Sequence, residues 1–369
     1  MKNATGERLV ADTDEQRNTI TGDGQSTVPR PRGDTAPAFL ATARELVTAA
    51  MRQASLRIAP AVRHVTDYHH GWIDQHGVPV GKSTGKALRP ALALLSARAV
   101  GAGPERAIAA AVAVEFVHSF SLLHDDVMDG DVVRRHRPTA WVLFGRDHAI
   151  LAGDALLTAS VSVLLDAGEP GAADAAASLL NASQRLVVGQ AADLGFERRD
   201  EVSLDECVRM ARDKTSALLS CAASIGARIV DGDQETVDHL AEFGEHLGLA
   251  FQLTDDLLGI WGDPSQTGKP VLADLRARKK SLPVVAALTG RGPAADELAE
   301  LYLGTATLDD HDLVRVAQLV RDAGGEEWAR READLQLRSA LRCLRQVDAP
   351  RAVRTDLAQI AMFAVSRHW

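Results

Sequence analysis

Three carboxylates lie close together in residues 121–130, whose sequence is SLLHDDVMDG. The preceding residues 108–123 are almost wholly apolar and contain neither Gly nor Pro, which is typical of a buried helix. On a helix, residues four apart share a face, so Asp125 and Asp129 point the same way, with Asp126 beside them. Crowded carboxylates repel one another, and clusters of oxygen ligands suit Mg²⁺. The alternative is a solvated acidic turn.

A second acidic pair follows another apolar stretch about 130 residues later. Residues 251–259, FQLTDDLLG, carry Asp255 and Asp256 in nearly the same context as the first motif. Two apolar helices that both end in an Asp pair are hard to explain as surface decoration. If the two ends face each other, they predict a site for several divalent ions and a polyphosphate whose leaving charge must be stabilised.

Cationic residues accompany these motifs. Lys86 and Arg89 lie three residues apart near the start of a predicted helix, where anions are favoured, although solvated surface cations are the alternative. Residues 134–137, with the sequence RRHR, follow the first acidic motif closely. A polyanion bound between the two groups would explain their proximity, and charge balancing of the acidic cluster is the alternative.

Further lysines lie on a helix and on a loop. Lys214 and Thr215 fall within an otherwise apolar helix, where a Lys is costly unless it meets an anion or snorkels to water. Residues 263–283 are rich in Gly, Pro and Lys, and we interpret them as a mobile cationic flap that closes on a charged substrate. The lysines of this flap are Lys269, Lys279 and Lys280.

Four other polar residues interrupt apolar helices. His118 precedes Asp125 by seven residues and shares its helix face, so it could donate a hydrogen bond to a phosphate. A core His with a backbone partner is an equally weighted alternative. Gln190, Asp193 and Gln252 are candidates to support the metal ligands from behind.

The composition restricts the class of protein. The chain has 369 residues, 46% of them hydrophobic, with few aromatics, a mix that favours helices over strands. A net charge of −9 argues against nucleic-acid binding and against a generic anionic-membrane patch. The three cysteines show no metal-binding spacing, so we interpret them as buried thiols in a reducing cytosol. Without a membrane-length apolar run or a signal-peptide pattern, we expect a cytoplasmic protein with no stable membrane insertion.

The chain is predicted to hold one large all-α domain. Residues 1–36 lack large apolar residues and are expected to be disordered, whereas residues 37–369 show helical periodicity without a dividing linker or a strand pattern. The predicted helical stretches are 38–70, 87–101, 104–126, 138–165, 170–196, 203–229, 233–258, 281–289, 294–304, 309–323, 326–346 and 349–367.

Together these residues resemble the trans-isoprenyl diphosphate (polyprenyl) synthase family over roughly residues 40–369. The resemblance rests on many ordered motifs: Gly85-Lys86-x-x-Arg89-Pro90, Asp125-Asp126-x-x-Asp129, Arg134-Arg135, Gly153-Asp154, Gly189-Gln190-x-x-Asp193, Lys214-Thr215, Phe251-Gln252-x-x-Asp255-Asp256 and residues 279–283.

The resemblance implies a helical bundle around a deep central cavity, assembled as a homodimer. Asp125, Asp129 and Asp255 resemble the direct ligands of three Mg²⁺ ions, with Asp126 and Asp256 beside them. The residues that resemble allylic diphosphate contacts are Arg134, Lys214, Gln252 and Lys269, with Thr215 and Lys279 also on the substrate side. Those that resemble the isopentenyl diphosphate site are Lys86, Arg89, His118 and Arg135.

The implied reaction is chain elongation. The allylic diphosphate ionises with the help of Mg²⁺, the isopentenyl double bond attacks the allylic cation, and a proton is lost to the departed diphosphate. A dry cavity protects the cation from water. In the resembling family, product length follows the residues before the first Asp motif. With an aromatic at Phe120 and a small Ser121, we predict geranylgeranyl diphosphate, with farnesyl diphosphate or a longer product as the alternative.

The chain departs from the family pattern at two positions. Gly259 stands where the second acidic motif usually has an Asp, and Asp263, two turns beyond Asp255, is the candidate to compensate. On this basis, Gly259→Asp should be neutral or mildly activating. His136 replaces the Gly that usually follows the paired arginines, which affects the expected geometry of that loop.

Two other classes compete with this interpretation. A class I terpene cyclase would also ionise an allylic diphosphate, but it needs neither a second substrate site nor the second Asp pair, and it usually has more cavity aromatics. A non-catalytic synthase subunit would be expected to lose its Asp motifs. Deleting residues 1–36 should leave activity unchanged, and docking of this tail to a partner is a less favoured hypothesis.

Overall fold

A computed structural model describes residues 36–80, 87–263, 271–304 and 306–366, which lie within one compact unit. The predictions for the N-terminal tail, Lys86 and Lys269 fall outside the described residues. The predicted all-α class is confirmed. The helices are α1 (Ala38–Ser55), α2 (Pro60–His69), α3 (Leu88–Ala99), α4 (Ile108–Met128), α5 (Ala140–Phe144), α6 (Arg146–Leu165), α7 (Ala172–Phe196), α8 (Leu204–Ala211), α9 (Ala217–Ile229), α10 (Gln234–Trp261), α11 (Ala273–Arg276), α12 (Leu282–Leu288), α13 (Pro293–Leu303), α14 (Asp310–Asp322), α15 (Gly325–Gln346) and α16 (Arg351–Val365).

Short irregular elements interrupt the predicted helices. The single helix predicted over residues 138–165 is broken at Gly145, whose φ of +90° a helix cannot contain. Residues 212–216 (Arg212–Ser216) form a π-helical turn between α8 and α9. A small antiparallel hairpin, β1 (Val133–Arg134) and β2 (Arg137–Pro138), follows α4 although no strand was predicted there.

The main core surrounds α4. This helix packs against α3, α6 and α9, and α10 packs against α9 and α15. Small buried residues let the helices approach closely: a Cβ on Gly226 of α9 would lie only 1.8 Å from the carbonyl oxygen of Ala93 on α3. The two helices that carry the acidic motifs are therefore held rigidly by the same packed layer.

A second apolar cluster supports the segment after α10. Buried side chains of α10 to α14 form this cluster, including Ile260, Leu275, Val284, Tyr302 and Val316. The hydroxyl of Tyr302 donates to the carbonyl oxygen of Lys279 at 2.9 Å. The cluster therefore anchors the residues that run from α11 to α12 beside the end of α10.

Two described helices have the length and mean hydropathy of a membrane span. The Pro104–Met128 segment, which contains α4, is 67% buried over its most apolar window, as expected for a core helix. The corresponding window of α6 (Arg146–Leu165) is only 33% buried, so this helix presents much of its apolar surface outward.

Candidate active site

The two acidic motifs are joined through Lys279. Its ammonium lies 3.7 Å from the carboxylate of Asp129, which caps the end of α4. The backbone N–H of Lys279 donates to the carbonyl oxygen of Asp274 at 2.9 Å, and the Asp274 carboxylate lies against Gly259 on α10. Lys279 therefore links the end of α4, through its side chain, to Asp274 beside α10, through its backbone. That the two motifs form one metal site stays a prediction.

In each acidic motif, one carboxylate is hydrogen-bonded to other residues of the chain. One oxygen of the Asp126 carboxylate accepts from the Arg134 guanidinium at 2.6 Å. Both oxygens of Asp256 are engaged, one by the side-chain amide of Gln252 at 2.6 Å and one by the backbone N–H of Leu282 at 2.9 Å. Asp126 and Asp256 are buried, so they act as supports for their neighbours.

The other carboxylates, on Asp125, Asp129 and Asp255, are less deeply buried than these two supports. Burial, helped by the nearby charges of Asp129 and Asp126 and opposed by Lys214 and Arg134, raises the pKa of Asp125 to about 6. Burial also raises the pKa of Asp256 to about 7, with contributions from Asp274 and Asp255. Bound cations would lower the pKa of these two carboxyl groups and stabilise their charged forms.

This donor set fits Mg²⁺. All the candidate ligand atoms are carboxylate oxygens, and the second oxygen of Asp126 is buried without a hydrogen-bond partner among the described residues. Carboxylate oxygens are the donors that Mg²⁺ prefers. Asp125, Asp129 and Asp255 would hold the ions, and Asp126 and Asp256 would orient the neighbouring side chains.

Lys214 reaches the site from the π-helical turn. Its ammonium donates to the carboxylate of Asp193 on α7 at 2.6 Å. Burial alone would lower the pKa of Lys214, but the charges of Asp193 and Asp125 outweigh it and raise that pKa. A Cβ on Gly189 would lie 2.2 Å from the backbone nitrogen of Lys214, so α7 can approach the turn only because residue 189 is Gly.

A hydrogen-bond chain supports the second motif. The hydroxyl of Thr215 donates to the side-chain oxygen of Gln252 at 2.5 Å, and Gln252 in turn donates to Asp256. The structure thus places Thr215 and Gln252 behind Asp256 in a supporting position. The amide of Gln190 is buried without a hydrogen-bond partner among the described residues, which fits a group awaiting a ligand or water. Lys280, by contrast, donates to the carbonyl oxygen of Phe196 and holds the loop in place.

A second cationic group gathers beside the hairpin. Burial lowers the pKa of His118 well below its usual value, and the charges of Arg89, Arg135 and Arg134 lower it further. Burial raises the pKa of Glu115, partly opposed by Arg89 and Arg135. Arg89, His118 and Arg135 are therefore neighbours, and their role as one diphosphate site stays a prediction.

The turn of the hairpin departs from the usual sequence but keeps a regular shape. Arg135 and His136 both have positive φ, +52° and +61°, in a two-residue connection of the kind that favours Asn and Gly. The His in place of Gly costs about 1 kcal/mol of backbone strain. Despite this strain, the hairpin places the Arg134 guanidinium in contact with the Asp126 carboxylate.

Two clefts open beside this turn and reveal residues that the sequence analysis missed. The first is lined by Tyr68, His69, Asp126, Arg134, Arg135, Arg137, Pro138, Thr139 and Ala140. The second includes Arg44, Trp72, Glu115, Ser119 and Arg135. The adjacent His69 and His70 at the end of α2 were the available signal, because two neighbouring histidines on a half-apolar helix are unusual. Arg44 and Tyr68 line these clefts only through contacts between segments that are distant in sequence.

The predicted product-length residues lie on α4 before the first motif. Phe120 packs edge-to-face against His124, with ring centroids 4.8 Å apart, and Nε2 of His124 lies 3.0 Å from the carbonyl oxygen of Ile150 on α6. Ser121 is buried, and its hydroxyl donates to the carbonyl oxygen of His118 at 2.9 Å. The Phe120 ring therefore has a fixed orientation, whereas Ser121 leaves space on the face of Asp125.

The structure changes the interpretation of Gly259. A Cβ at Gly259 would lie 1.8 Å from a carboxylate oxygen of Asp274, so this carboxylate fills the place of a side chain at position 259. Asp263, the compensating residue proposed from the sequence, lies beyond the end of α10 instead. Asp274 is therefore the better candidate to supply the charge that the family usually places at this position.

This geometry leads to a prediction for Gly259→Asp. A second carboxylate would be forced against Asp274, so we expect about a tenfold loss of turnover, instead of the neutral or activating effect expected from the sequence. The double variant Gly259→Asp/Asp274→Asn relieves the repulsion and should recover most of that loss. Steady-state kinetics at saturating Mg²⁺ measure both effects. Equal turnover of Gly259→Asp and the unaltered enzyme would contradict the assignment of Asp274.

An all-α bundle that sets two paired carboxylates against cationic clefts defines the class of isoprenyl diphosphate synthases, enzymes that transfer prenyl groups. A family model described as polyprenyl synthetase matches residues 71–320. The chain belongs to this family.

Named relatives agree with the class. The chain is 45% identical to a (2E,6E)-farnesyl diphosphate synthase of Mycobacterium bovis, over 89% of this chain and 92% of the relative. It is 44% identical to a geranylgeranyl diphosphate synthase of Mycobacterium tuberculosis, over 81% of this chain and 85% of the relative. These relatives support prenyl-chain elongation and differ in the product that their names state.

Solved structures agree with the fold. A polyprenyl synthetase from Streptomyces coelicolor A3(2) superposes with a TM-score of 0.86 at 48% identity, covering 90% of this chain and all of that one. A geranylgeranyl pyrophosphate synthase from Corynebacterium glutamicum, complexed with isoprenyl diphosphate and magnesium, gives a TM-score of 0.77 at 27% identity, covering 90% of this chain and all of that one. The second structure supports the use of a divalent metal.

Proposed function

We propose that the enzyme condenses isopentenyl diphosphate with dimethylallyl, geranyl or farnesyl diphosphate, and that its main product is geranylgeranyl diphosphate. The observation that carries the reaction is the pairing of two carboxylate motifs with two separate cationic groups. The first cationic group is formed by Lys214, near Asp125, and Lys279, near Asp129. The second group is formed by Arg89, His118 and Arg135. Two anion sites are what a two-substrate condensation needs, whereas a cyclase needs one.

We propose three Mg²⁺ ions, held by Asp125, Asp129 and Asp255. When bound, they would neutralise the charge that develops on the departing diphosphate. Lys214 and Arg134 contact the same diphosphate, since Lys214 lies near Asp125 and Arg134 near Asp126. The anchored segment around Lys279 helps to exclude water while the allylic cation exists, and the diphosphate released next to the new bond accepts the proton.

The second substrate is held at the hairpin. Arg135 and Arg89 supply fixed positive charge, and His118, kept neutral by burial and by these guanidinium groups, donates a hydrogen bond from one ring nitrogen. This arrangement directs the isopentenyl diphosphate towards α4, where its double bond meets the allylic carbon. The positions of the two diphosphates then determine which atoms react.

The C20 product rests on the side chains before Asp125. Phe120 is 6% exposed and held by His124, so it narrows the path of a growing chain, while Ser121 one position later is small. A path closed on both sides would stop at C15, and a path open on both sides would pass C20. Farnesyl diphosphate is the second candidate, favoured by the farnesyl synthase relative.

Product analysis tests this assignment. Purified enzyme is incubated with isopentenyl diphosphate and each allylic primer, and the dephosphorylated products are separated by chain length. We expect C20 to dominate from all three primers at excess isopentenyl diphosphate. Accumulation of C15 alone, with no elongation of farnesyl diphosphate, would establish a farnesyl diphosphate synthase instead.

We also propose a cytoplasmic homodimer that pairs through α6 and α7. These two helices expose a shared apolar surface whose members are Ile150, Leu151, Leu165, Leu180, Val187 and Val188. Leu180, Val187 and Val188 share one helix face by their spacing, as do Leu151 and Leu165. Contiguous apolar patches of this kind mark protein interfaces.

A charge on this surface should separate the subunits. We expect Val188→Glu to convert the dimer to a monomer in light-scattering measurements at micromolar concentration, because the carboxylate would be buried without a partner. The matched control is Val314→Glu on α14, which is equally exposed and apolar but lies outside the surface. If the dimer persists in Val188→Glu and is lost in Val314→Glu, the interface lies outside the α6–α7 surface.

A further inference from the structure

A second group of possible metal ligands lies between α10 and α15, apart from the catalytic motifs. Glu242 and His246 are four residues apart on α10, and Cys343 faces them from α15. The carboxylate, imidazole and thiol donor atoms all lie within 4.8 Å of one another. Glu242 precedes Asp255 by 13 residues, which places this group about 20 Å along the helix from the active site.

We propose that Glu242, His246 and Cys343 bind one zinc-like divalent cation that ties α10 to α15. One sulfur, one nitrogen and one oxygen donor form a set that suits Zn²⁺ or Co²⁺ and disfavours Mg²⁺, which prefers oxygen alone. Three protein ligands leave a fourth position for water. The proposed site is thus chemically distinct from the catalytic carboxylates of the same chain.

The hydrogen bonds behind His246 fix the ring in the form that a metal needs. The carboxylate of Glu332 can only accept, so the Gln336 amide turns its NH₂ group to that oxygen, at 2.7 Å. The Gln336 amide oxygen then faces Nδ1 of His246 at 2.6 Å and requires a proton there. The lone pair of the neutral ring is therefore on Nε2, 3.9 Å from the Glu242 carboxylate. A partner on the far nitrogen is typical of metal-binding histidines.

The burial of the three donors also suits a cation. Cys343 is 6% exposed, whereas the side chain of Glu242 is 57% exposed and free to move. In a tetrahedral zinc site the donor atoms are about 3.5 Å apart. A rotation of the Glu242 side chain that moves its carboxylate oxygen by about an ångström would therefore complete the site. A bound cation would displace the thiol proton.

A repeat of the same spacing on α10 supplies a matched control. Glu235 and His239 are also four residues apart, with Nε2 and the carboxylate again 3.9 Å apart, but they belong to no three-donor cluster among the described residues. A simple surface ion pair would behave alike at both places. A metal site would form only where the thiol completes the set.

Cobalt titration of the full-length enzyme tests the proposal. With millimolar Mg²⁺ present to occupy the catalytic carboxylates, one equivalent of Co²⁺ should produce a thiolate-to-cobalt charge-transfer band in the near ultraviolet. Cys343→Ser should abolish the band, although Cys207 and Cys221 remain. Glu242→Gln and His246→Gln should weaken Co²⁺ binding at least tenfold, while His239→Gln should leave it unchanged.

The same variants separate binding from folding and from catalysis. Zn²⁺ should raise the melting temperature of the unaltered enzyme and of His239→Gln, but not of the exposed variant Glu242→Gln, whose prenyl transfer should stay normal. The proposal is overturned if stoichiometric Co²⁺ gives no thiolate band. It is equally overturned if the band persists in Cys343→Ser, which would place the metal at another cysteine.

Discussion

Asp255→Asn should lower the turnover number about a thousandfold while leaving the fold intact. The carboxylate lies on the rigid α10 beside Asp256, whose two oxygens are already engaged by Gln252 and Leu282. Asp255 is the member of the second motif that we propose as a direct metal ligand, and losing one preorganised charge at a developing anion costs about this much. Steady-state kinetics over a range of Mg²⁺ concentrations measure the loss, and circular dichroism verifies the fold.

Asp238→Asn provides the control for this experiment. Asp238 is an exposed carboxylate near the start of the same helix, where it accepts from Gln234 at 2.6 Å. Its removal changes the net charge equally but should leave turnover unchanged. If Asp255→Asn instead kept a near-normal rate, the second motif would not be a metal site, and Gly259 would mark a real loss of function there.

Phe120→Ala should lengthen the product beyond C20, and Ser121→Phe should shorten it towards C15. Phe120 is held in one orientation by His124, so its removal opens the path of the growing chain. Ser121 lies one turn before Asp125 on the same helix face, so a ring there blocks the path close to the reacting end. Chain lengths of the dephosphorylated products measure both effects.

Ser121→Ala isolates the effect of bulk from that of the hydroxyl. The hydroxyl of Ser121 is bonded to the carbonyl oxygen of His118, so its removal alone should leave product length unchanged. Melting temperatures should accompany these assays, because Phe120→Ala removes a buried ring and is expected to destabilise the fold by about 3–5 kcal/mol. An unchanged product distribution in a folded Phe120→Ala variant would place the floor of the cavity elsewhere.

The helices and their motifs could be predicted because both depend on local spacing. Periodic apolar residues and the acidic pairs at the ends of α4 and α10 are visible in single stretches of sequence. Lys214 was recognised for the same reason, as a charge on an apolar helix. The structure then paired it with Asp193, which had been singled out separately as a polar residue on another helix.

Features that depend on contacts between distant segments could not be predicted. The carboxylate of Asp274 reaches Gly259 across a segment of 15 residues, so sequence spacing favoured Asp263 and gave no indication of Asp274. The hydrogen bond from the backbone N–H of Leu282 to the Asp256 carboxylate is likewise a contact between distant segments. The π-helical turn has no local signal in the sequence, whereas the break at Gly145 had one in the glycine itself.

The cysteines show the same limit. Their spacing in sequence carried no metal pattern, and all three are buried free thiols, as expected. Cys343 nevertheless meets Glu242 and His246, which are about 100 residues earlier in the chain. Only the packing of α15 on α10 brings these groups together, so single-sequence reasoning had no access to them.

Incorporation of labelled isopentenyl diphosphate tests the central claim most directly. The unaltered enzyme should transfer label into a longer prenyl diphosphate only when an allylic diphosphate and Mg²⁺ are both present, and a chelator should stop the transfer. Diphosphate release from the allylic substrate should depend equally on isopentenyl diphosphate. Release of diphosphate from the allylic substrate alone, with a neutral hydrocarbon formed and no label incorporated, would contradict chain elongation and identify a cyclase.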